Sequence, residues 1–353
     1  MPRPIAYIFR FATDPATESM TMETLQAQAK DDTPSSSPSV TVMMPVFNDW
    51  PSAFTLIVRL NPLLVQEGYR PSYLLIDDGS TELPPSAEEV EAIPDVSVLH
   101  LRRNLGHQRA LCIGISWLAK NLHGAQPIVV MDSDGEDCPE EVKRLLDRYD
   151  REHGQTFVFA ERTRRSEGFL FKFFYNLYCF LHIFLVGHRV RFGNFSVVPS
   201  RRLPSLSVVP ELWNHYAAAV VVSKQPYTTV STERGERYFG DSKMNFTELV
   251  IHGLSALSVF SDRLSVRISF FVFGLLVLIG AAAVVIMGAQ LFTDSAVPEW
   301  VTLTGGLLFL CAIQLITLLS VFCFMVLANR KGNTFLPIRD YQYFIDHVKT
   351  LSR

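Results

Sequence analysis

Two stretches near the carboxyl end, residues 268–292 and 300–328, contain no charged side chain. Each exceeds the roughly 20 apolar residues needed to cross a bilayer core of about 30 Å, so a membrane-anchored protein is expected, its polar part preceding a two-helix hairpin. A helix pair buried in a soluble core is the competing reading, disfavoured by the length of the uninterrupted windows. The connector, 293–299, carries Asp294 and Glu299 but no base, whereas Arg263 and Arg267 precede the first span and Arg330, Lys331 and Arg339 follow the second. Because cytoplasmic flanks are the positively charged ones, the large amino-terminal region and the tail 331–353 are both expected in the cytosol, at the inner (cytoplasmic) membrane.

The 353 residues carry a formal charge of −3, which supplies no global field for a nucleic-acid partner. Cys112, Cys138, Cys179, Cys311 and Cys323 lack paired metal spacing and read as plain thiols. Residues 1–39 hold no sustained apolar core and are rich in Ser, Thr and Pro toward their end, so a largely disordered head is expected.

From residue 40 to 262, β-branched runs alternate with helix-like sequence, the pattern of an α/β domain with a mostly parallel sheet. Strands are expected at 40–44, 73–76, 96–101, 128–131 and 157–160. The first four end in chemistry-bearing tips: Pro45-Val-Phe47-Asn48-Asp49, Asp77-Asp78-Gly79-Ser80, Arg102-Arg103-Asn104, and Asp132-Ser133-Asp134-Gly135-Glu136-Asp137. Ligands of open α/β sheets collect beyond the carboxyl ends of the strands, so these tips are expected to share one crevice. Asp77 and Asp78 can accept hydrogen bonds from a base or ribose, Arg103 can face phosphate, and the last tip offers the hard oxygen ligands that Mg²⁺ or Mn²⁺ prefer. No Gly-x-Gly-x-x-Gly follows any strand, which disfavours a dinucleotide-binding dehydrogenase.

These motifs resemble those of family 2 glycosyltransferases with the nucleotide-diphospho-sugar (GT-A, Rossmann-like) fold, and more narrowly the polyprenyl-phosphate type that includes dolichol-phosphate mannose synthases. The resemblance runs over residues 40–330. It is carried by the four tips, by Arg103-Asn104-Leu-Gly106-His-Gln-Arg-Ala110, by Pro139-Glu-Glu141, by Arg237-x-x-Gly240-x-Ser242-Lys243 and by the two spans. It implies that Asp49 and Asp78 contact the nucleoside, with Pro45, Phe47, Asn48, Asp77, Arg103, Asn104, Gly106, Asp132 and Ser133 completing the nucleotide-binding set. Asp132 and Asp134 would serve the metal and the donor diphosphate, and Arg237, Ser242 and Lys243 the lipid-side phosphate. Four positions depart from the family pattern. Gly135, Glu136 and Cys138 replace a Leu, a Gln and a Pro of many relatives, adding Glu136 as a third expected metal ligand, and Asn194 stands where relatives often have an acid.

Transfer to a phosphate needs no strong base, because a phosphomonoester is mostly a dianion at neutral pH. It needs cations on both sides of the sugar: a metal at the departing diphosphate, and Arg or Lys at the incoming phosphate. Arg162, Arg164 and Arg165 follow the fifth strand, and Arg234, Arg237 and Lys243 crowd a later segment. Asp134, Arg162, Arg237 and Lys243 are accordingly the expected catalytic group, with Arg162, Arg164, Arg234, Arg237, Ser242 and Lys243 at the lipid phosphate. Residues 168–187 carry Lys172, Asn176, Cys179 and His182 at helical spacing opposite an aromatic face, and are expected to lie flat at the headgroup boundary, a third span being the alternative. The expected activity is inverting transfer of one sugar from a UDP- or GDP-linked donor to a polyprenyl phosphate. A processive polysaccharide synthase and a non-catalytic nucleotide-binding scaffold are the alternatives, and homo-oligomerisation stays open.

Overall fold

In a computed structural model the described residues are 37–85, 95–162, 192–240, 253–292, 299–331 and 335–352. The expected interfacial segment 168–187, and with it Arg164, Ser242 and Lys243, lies outside them. In chain order the main elements are β1 (Ser39–Val46), α1 (Trp50–Gln66), β2 (Arg70–Asp77), β3 (Val96–Leu101), α2 (His107–Asn121), β4 (Pro127–Val130), α3 (Pro139–Arg151), β5 (Phe157–Arg162) and β6 (Ser196–Pro199). Then follow α4 (Tyr216–Val222), β7 (Tyr227–Thr232), α5 (Ser261–Phe292), α6 (Glu299–Lys331) and β8 (Ile345–Ser352), with short helical turns at Leu203–Leu206, Pro210–Trp213 and Pro337–Asp340.

Eight strands form one mixed sheet in the order β7-β5-β6-β4-β1-β2-β3-β8. The four strands whose tips the sequence marks are adjacent and parallel, β3-β2-β1-β4, which brings those tips to the same edge. Their nearly unbroken apolar runs follow from burial on both faces. One face packs Leu56, Ile57, Leu60 and Leu64 of α1 and Val142, Leu145 and Leu146 of α3. The other packs Leu111, Ile113, Ile115 and Leu118 of α2 with Tyr216 and Val220 of α4. In α3 the acids Glu140 and Glu141 open the first turn and Arg148 and Arg151 close the last, the order the helix dipole favours. The α/β class expected from the sequence is the class observed.

The structure extends the expected sheet at both ends. On one side β6 runs antiparallel to β4 and β5, and β7 runs parallel to β5. On the other, the tail expected merely to follow the second span folds back as β8, antiparallel to β3. The edge of β3 supplies unpaired backbone groups, and an alternating eight-residue segment can satisfy them from anywhere in the chain.

Helices α5 and α6 pack against each other and contain windows of mean hydropathy 2.9 and 2.6, of which only 6% and 0% is buried. A core helix of a soluble protein would be mostly covered, so by length, composition and exposure the two helices are a candidate membrane-spanning hairpin. Their bounds run a few residues beyond the expected spans, taking in the flanking bases Arg263, Arg267, Arg330 and Lys331. Both ends of the hairpin dock at one place. Val259 and Phe260, just before α5, cluster with Ala218, while Phe335, just after α6, lies 4.0 Å from the ring of Trp213.

Gly79 follows the β2 tip at φ +72°, and a Cβ there would sit 2.5 Å from Asn104 N and 2.6 Å from Arg103 C. Both obstacles are backbone, so Gly79→Ala should cost about 2 kcal/mol or more of stability. Chemical denaturation of the detergent-solubilised protein checks this.

Candidate active site

The β1 and β2 tips are tied into one ledge. Asn48 takes a left-handed backbone (φ +49°), and its N–H donates to Ser80 Oγ at 3.0 Å. Its side-chain oxygen accepts from Thr81 N at 2.8 Å, Thr81 Oγ1 at 3.2 Å and Glu82 N at 3.2 Å. Trp50 Nε1 donates to Glu82 O, and Asp78 N to Val46 O. Phe47 stays 41% exposed at the rim, where a flat ligand can stack.

Asp77 and Asp78 are buried, with every carboxylate oxygen engaged inside the protein. Asp77 Oδ1 accepts from Ser80 N at 2.9 Å, and Asp77 Oδ2 lies 2.7 Å from His100 Nδ1. Asp78 Oδ1 and Oδ2 accept from Leu105 N (2.7 Å) and Gly106 N (2.9 Å), pinning the turn between β3 and α2. Burial raises the Asp78 carboxyl above its ordinary range, against the pull of those two N–H groups and of His107. The two acids thus organise the ledge, whereas Arg103 and Asn104 are exposed beside it.

The acidic tip after β4 is held from two sides. Ser133 Oγ donates to Pro45 O at 3.0 Å, and Asp132 N to the buried Asp137 Oδ2 at 2.9 Å. From the other side comes the segment after β7, whose residue Arg234 forms an isolated bridge with Asp137. Tyr238 N donates to Asp134 O and Gly235 N to Glu136 O. A Cβ on Gly235 would stand 2.5 Å from Gly135 O, so the approach requires glycine there.

Two ion pairs accompany this docking. Arg237 donates to Asp134 Oδ2 at 2.5 Å, and Arg234 donates through Nε and a terminal nitrogen to Glu136 Oε2 at 3.1 and 2.6 Å. Burial works against the Arg237 charge, yet the Asp134 hydrogen bond and the charges of Asp134, Glu136 and Asp49 together raise its pKa. Asp49 at the β1 tip therefore belongs to the same electrostatic neighbourhood. Sequence spacing places Arg237 and Asp134 in different motifs; only the β7 crossover makes them neighbours.

Asn194, before β6, completes the floor. Its amide nitrogen lies 2.8 Å from His107 Nε2, its oxygen accepts from Gln108 Nε2 at 3.1 Å, and Gln108 Oε1 accepts from Tyr216 N. His107 Nε2 is also 3.3 Å from Asp132 Oδ1. The sequence reads His107 as a helix-start or phosphate-facing residue, and it does open α2; the contacts of Gln108 with Asn194 and of Asp137 with Arg234 carry no such signal, because nothing in one chain's spacing predicts contacts across more than 80 residues. Of the expected lipid-phosphate group, Arg234 and Arg237 meet the acidic tip, and Arg162 ends β5.

The carboxylates expected to share a cation do not meet as a trio. Among the described residues no group of three or more His, Cys, Asp or Glu is gathered to hold a metal, and Asp134 and Glu136 each face an arginine. The donor chemistry still fits a hard cation. Mg²⁺ is commonly held by one or two carboxylates plus substrate phosphates, which Asp132 and Asp134 can provide once a diphosphate is present.

Residues 41–198 match the sequence profile of glycosyl transferase family 2. An uncharacterized glycosyltransferase, YkcC of Bacillus subtilis (strain 168), is 23% identical over 270 residues, covering 74% of this chain and 80% of its own length. The undecaprenyl-phosphate 4-deoxy-4-formamido-L-arabinose transferase of Klebsiella pneumoniae (strain 342) is 33% identical over 132 residues, 36% of this chain; the chain spans only 38% of that protein. Among solved structures, glucosyl-3-phosphoglycerate synthase from Mycobacterium tuberculosis in complex with Mn²⁺, UDP-glucose and phosphoglyceric acid aligns at a TM-score of 0.46 and 15% identity, over 69% of this chain and 84% of that one.

Arg237 occupies Asp134 where a cation would compete for it. Arg237→Ala should therefore tighten Mn²⁺ binding by the nucleotide-free protein about tenfold, the equivalent of the ~1–2 kcal/mol of a charge-assisted bond. Isothermal titration with Mn²⁺ measures the shift directly.

Proposed function

We propose that this chain, whose residues 41–198 match the glycosyl transferase family 2 profile, moves a single sugar from a nucleotide-diphospho-sugar donor to a polyprenyl phosphate at the cytosolic membrane face. The observation that carries this reading is the contact between Arg237 and Asp134, which sets a cationic and an anionic pole within one hydrogen bond of each other. Joining two phosphate-bearing substrates across a sugar calls for this juxtaposition. The exposed apolar helices support a lipid-borne acceptor, and the flanking bases support a cytosolic catalytic domain.

The β1–β2 ledge receives the nucleoside, with Phe47 at its rim and Asp49 below. Asp132 and Asp134 would hold Mg²⁺ or Mn²⁺, which when bound neutralises the departing diphosphate. Arg237 and Arg234 would face the incoming phosphate, joined, from segments outside the described residues, by Arg164, Ser242 and Lys243. Arg162 at the end of β5 belongs to the same basic group. One acceptor oxygen attacks the anomeric carbon in line as its bond to the diphosphate oxygen breaks, inverting the configuration. No proton has to move, since the phosphate is already ionised. An amide at Asn194, held by His107 and Gln108, therefore suffices where a hydroxyl acceptor would call for an acid acting as base.

Asp134→Ala should lower turnover by about a hundredfold or more while leaving membrane insertion and thermal stability intact. The assay incubates purified protein with UDP- and GDP-sugars, Mg²⁺ or Mn²⁺ and undecaprenyl phosphate, and reads glycolipid by mass spectrometry; retained turnover in the variant would overturn this assignment.

A further inference from the structure

The carboxyl-terminal strand reaches the proposed nucleotide ledge through two histidines. His347 of β8 is the register partner of His100 of β3, and their rings stack at 4.4 Å with planes 19° apart. His100 Nδ1 is 2.7 Å from Asp77 Oδ2, in a contact whose side chains are 14% and 8% exposed. Asp77 Oδ1 then accepts from Ser80 N, Ser80 Oγ accepts from Asn48 N, and Asn48 Oδ1 gathers Thr81 and Glu82. An unbroken line of contacts thus runs from the last strand of the chain to the β1 tip. On its outer side His347 Nδ1 lies 2.9 Å from Asp346, which also pairs with Arg102 at 3.4 Å.

We propose that β8 is a working part of the nucleotide site, with His347 and His100 as positioning residues that hold Asp77, and through it the Ser80–Asn48 ledge, in the shape that receives the nucleoside. This extends the reading given above and rests on it for the identity of the ligand. A strand serving only to cover the β3 edge needs backbone pairing and alternating side chains, and Leu351, buried at the far end, supplies that role. The histidine pair sits instead at the end of β3 nearest the tips. Directly opposed cross-strand side chains meet face to face, so the ring of His347 removes the rotational freedom by which His100 would leave Asp77. Asp77 would then retain a single donor, and the turn it braces would loosen.

The test uses the full chain in nanodiscs, as wild type, His347→Ala and His347→Phe. Amide hydrogen exchange is followed across residues 77–82 without nucleotide, and UDP and GDP affinities and steady-state kinetics are measured with Mn²⁺. Losing about one net hydrogen bond predicts roughly fivefold faster exchange at 77–82 and roughly fivefold weaker nucleotide binding in His347→Ala. The effect should appear in donor KM with kcat within about twofold, and the flat apolar ring of His347→Phe should restore both values. Unchanged exchange and affinity in His347→Ala would overturn the proposal, as would failure of His347→Phe to rescue while β8 stays protected. Should wild type bind neither nucleotide, the proposed function falls, and exchange at 77–82 alone decides whether the strand braces the ledge.

Discussion

The pairing of Arg237 with Asp134 governs how the rest of the site is put together. A carboxylate loop at the end of a buried strand repels itself, and burying it without a counter-charge is costly. Here the segment after β7 brings two guanidiniums, a strand-like bridge and two backbone donors to that loop, so opposite charges from distant parts of the chain assemble into one partly buried unit. Everything else positions the partners. The parallel strands deliver the acids, the reversal through β6 and β5 delivers β7, and Gly135 and Gly235 allow the backbones to close.

Much of the fold was legible in the sequence because it is written in local chemistry. Apolar runs ending in Asp-Asp-Gly-Ser or Asp-Ser-Asp mark parallel strands and their tips, and two charge-free windows mark the hairpin. What escaped was non-local. β6 and β7 are short and take their meaning from pairing partners, and β8 reads as a tail until β3 needs a neighbour. At the site, residue type was a better guide than role. Asp77 and Asp78 were expected to reach a nucleoside; in the structure their oxygens also meet Ser80 N, His100 Nδ1, Leu105 N and Gly106 N, contacts that residue type alone does not announce. Asn194 stood out as an amide in place of an acid, but its bonds to His107 and Gln108 depend on β6 lying antiparallel to β4, which no spacing rule foretells.

The two halves of the molecule are joined at more than a linker. Ala218 meets the residues that enter the hairpin and Trp213 those that leave it, so a single short stretch of the α/β domain holds both ends of the apolar helix pair. Arg109, near the start of α2, stacks over the same Trp213, and its neighbours His107 and Gln108 contact the site. A domain attached at one point would swivel freely, whereas attachment at two limits how far it can turn relative to the helix pair.

The placement of β8 also has a consequence for biogenesis. β8 pairs with β3 across some 250 residues of chain and is synthesised after both apolar helices. The β3 edge cannot be covered, and His100 cannot gain its partner ring, until both of those helices have been made. A chain interrupted before β8 therefore carries an open β3 edge and lacks the ring that stacks on His100.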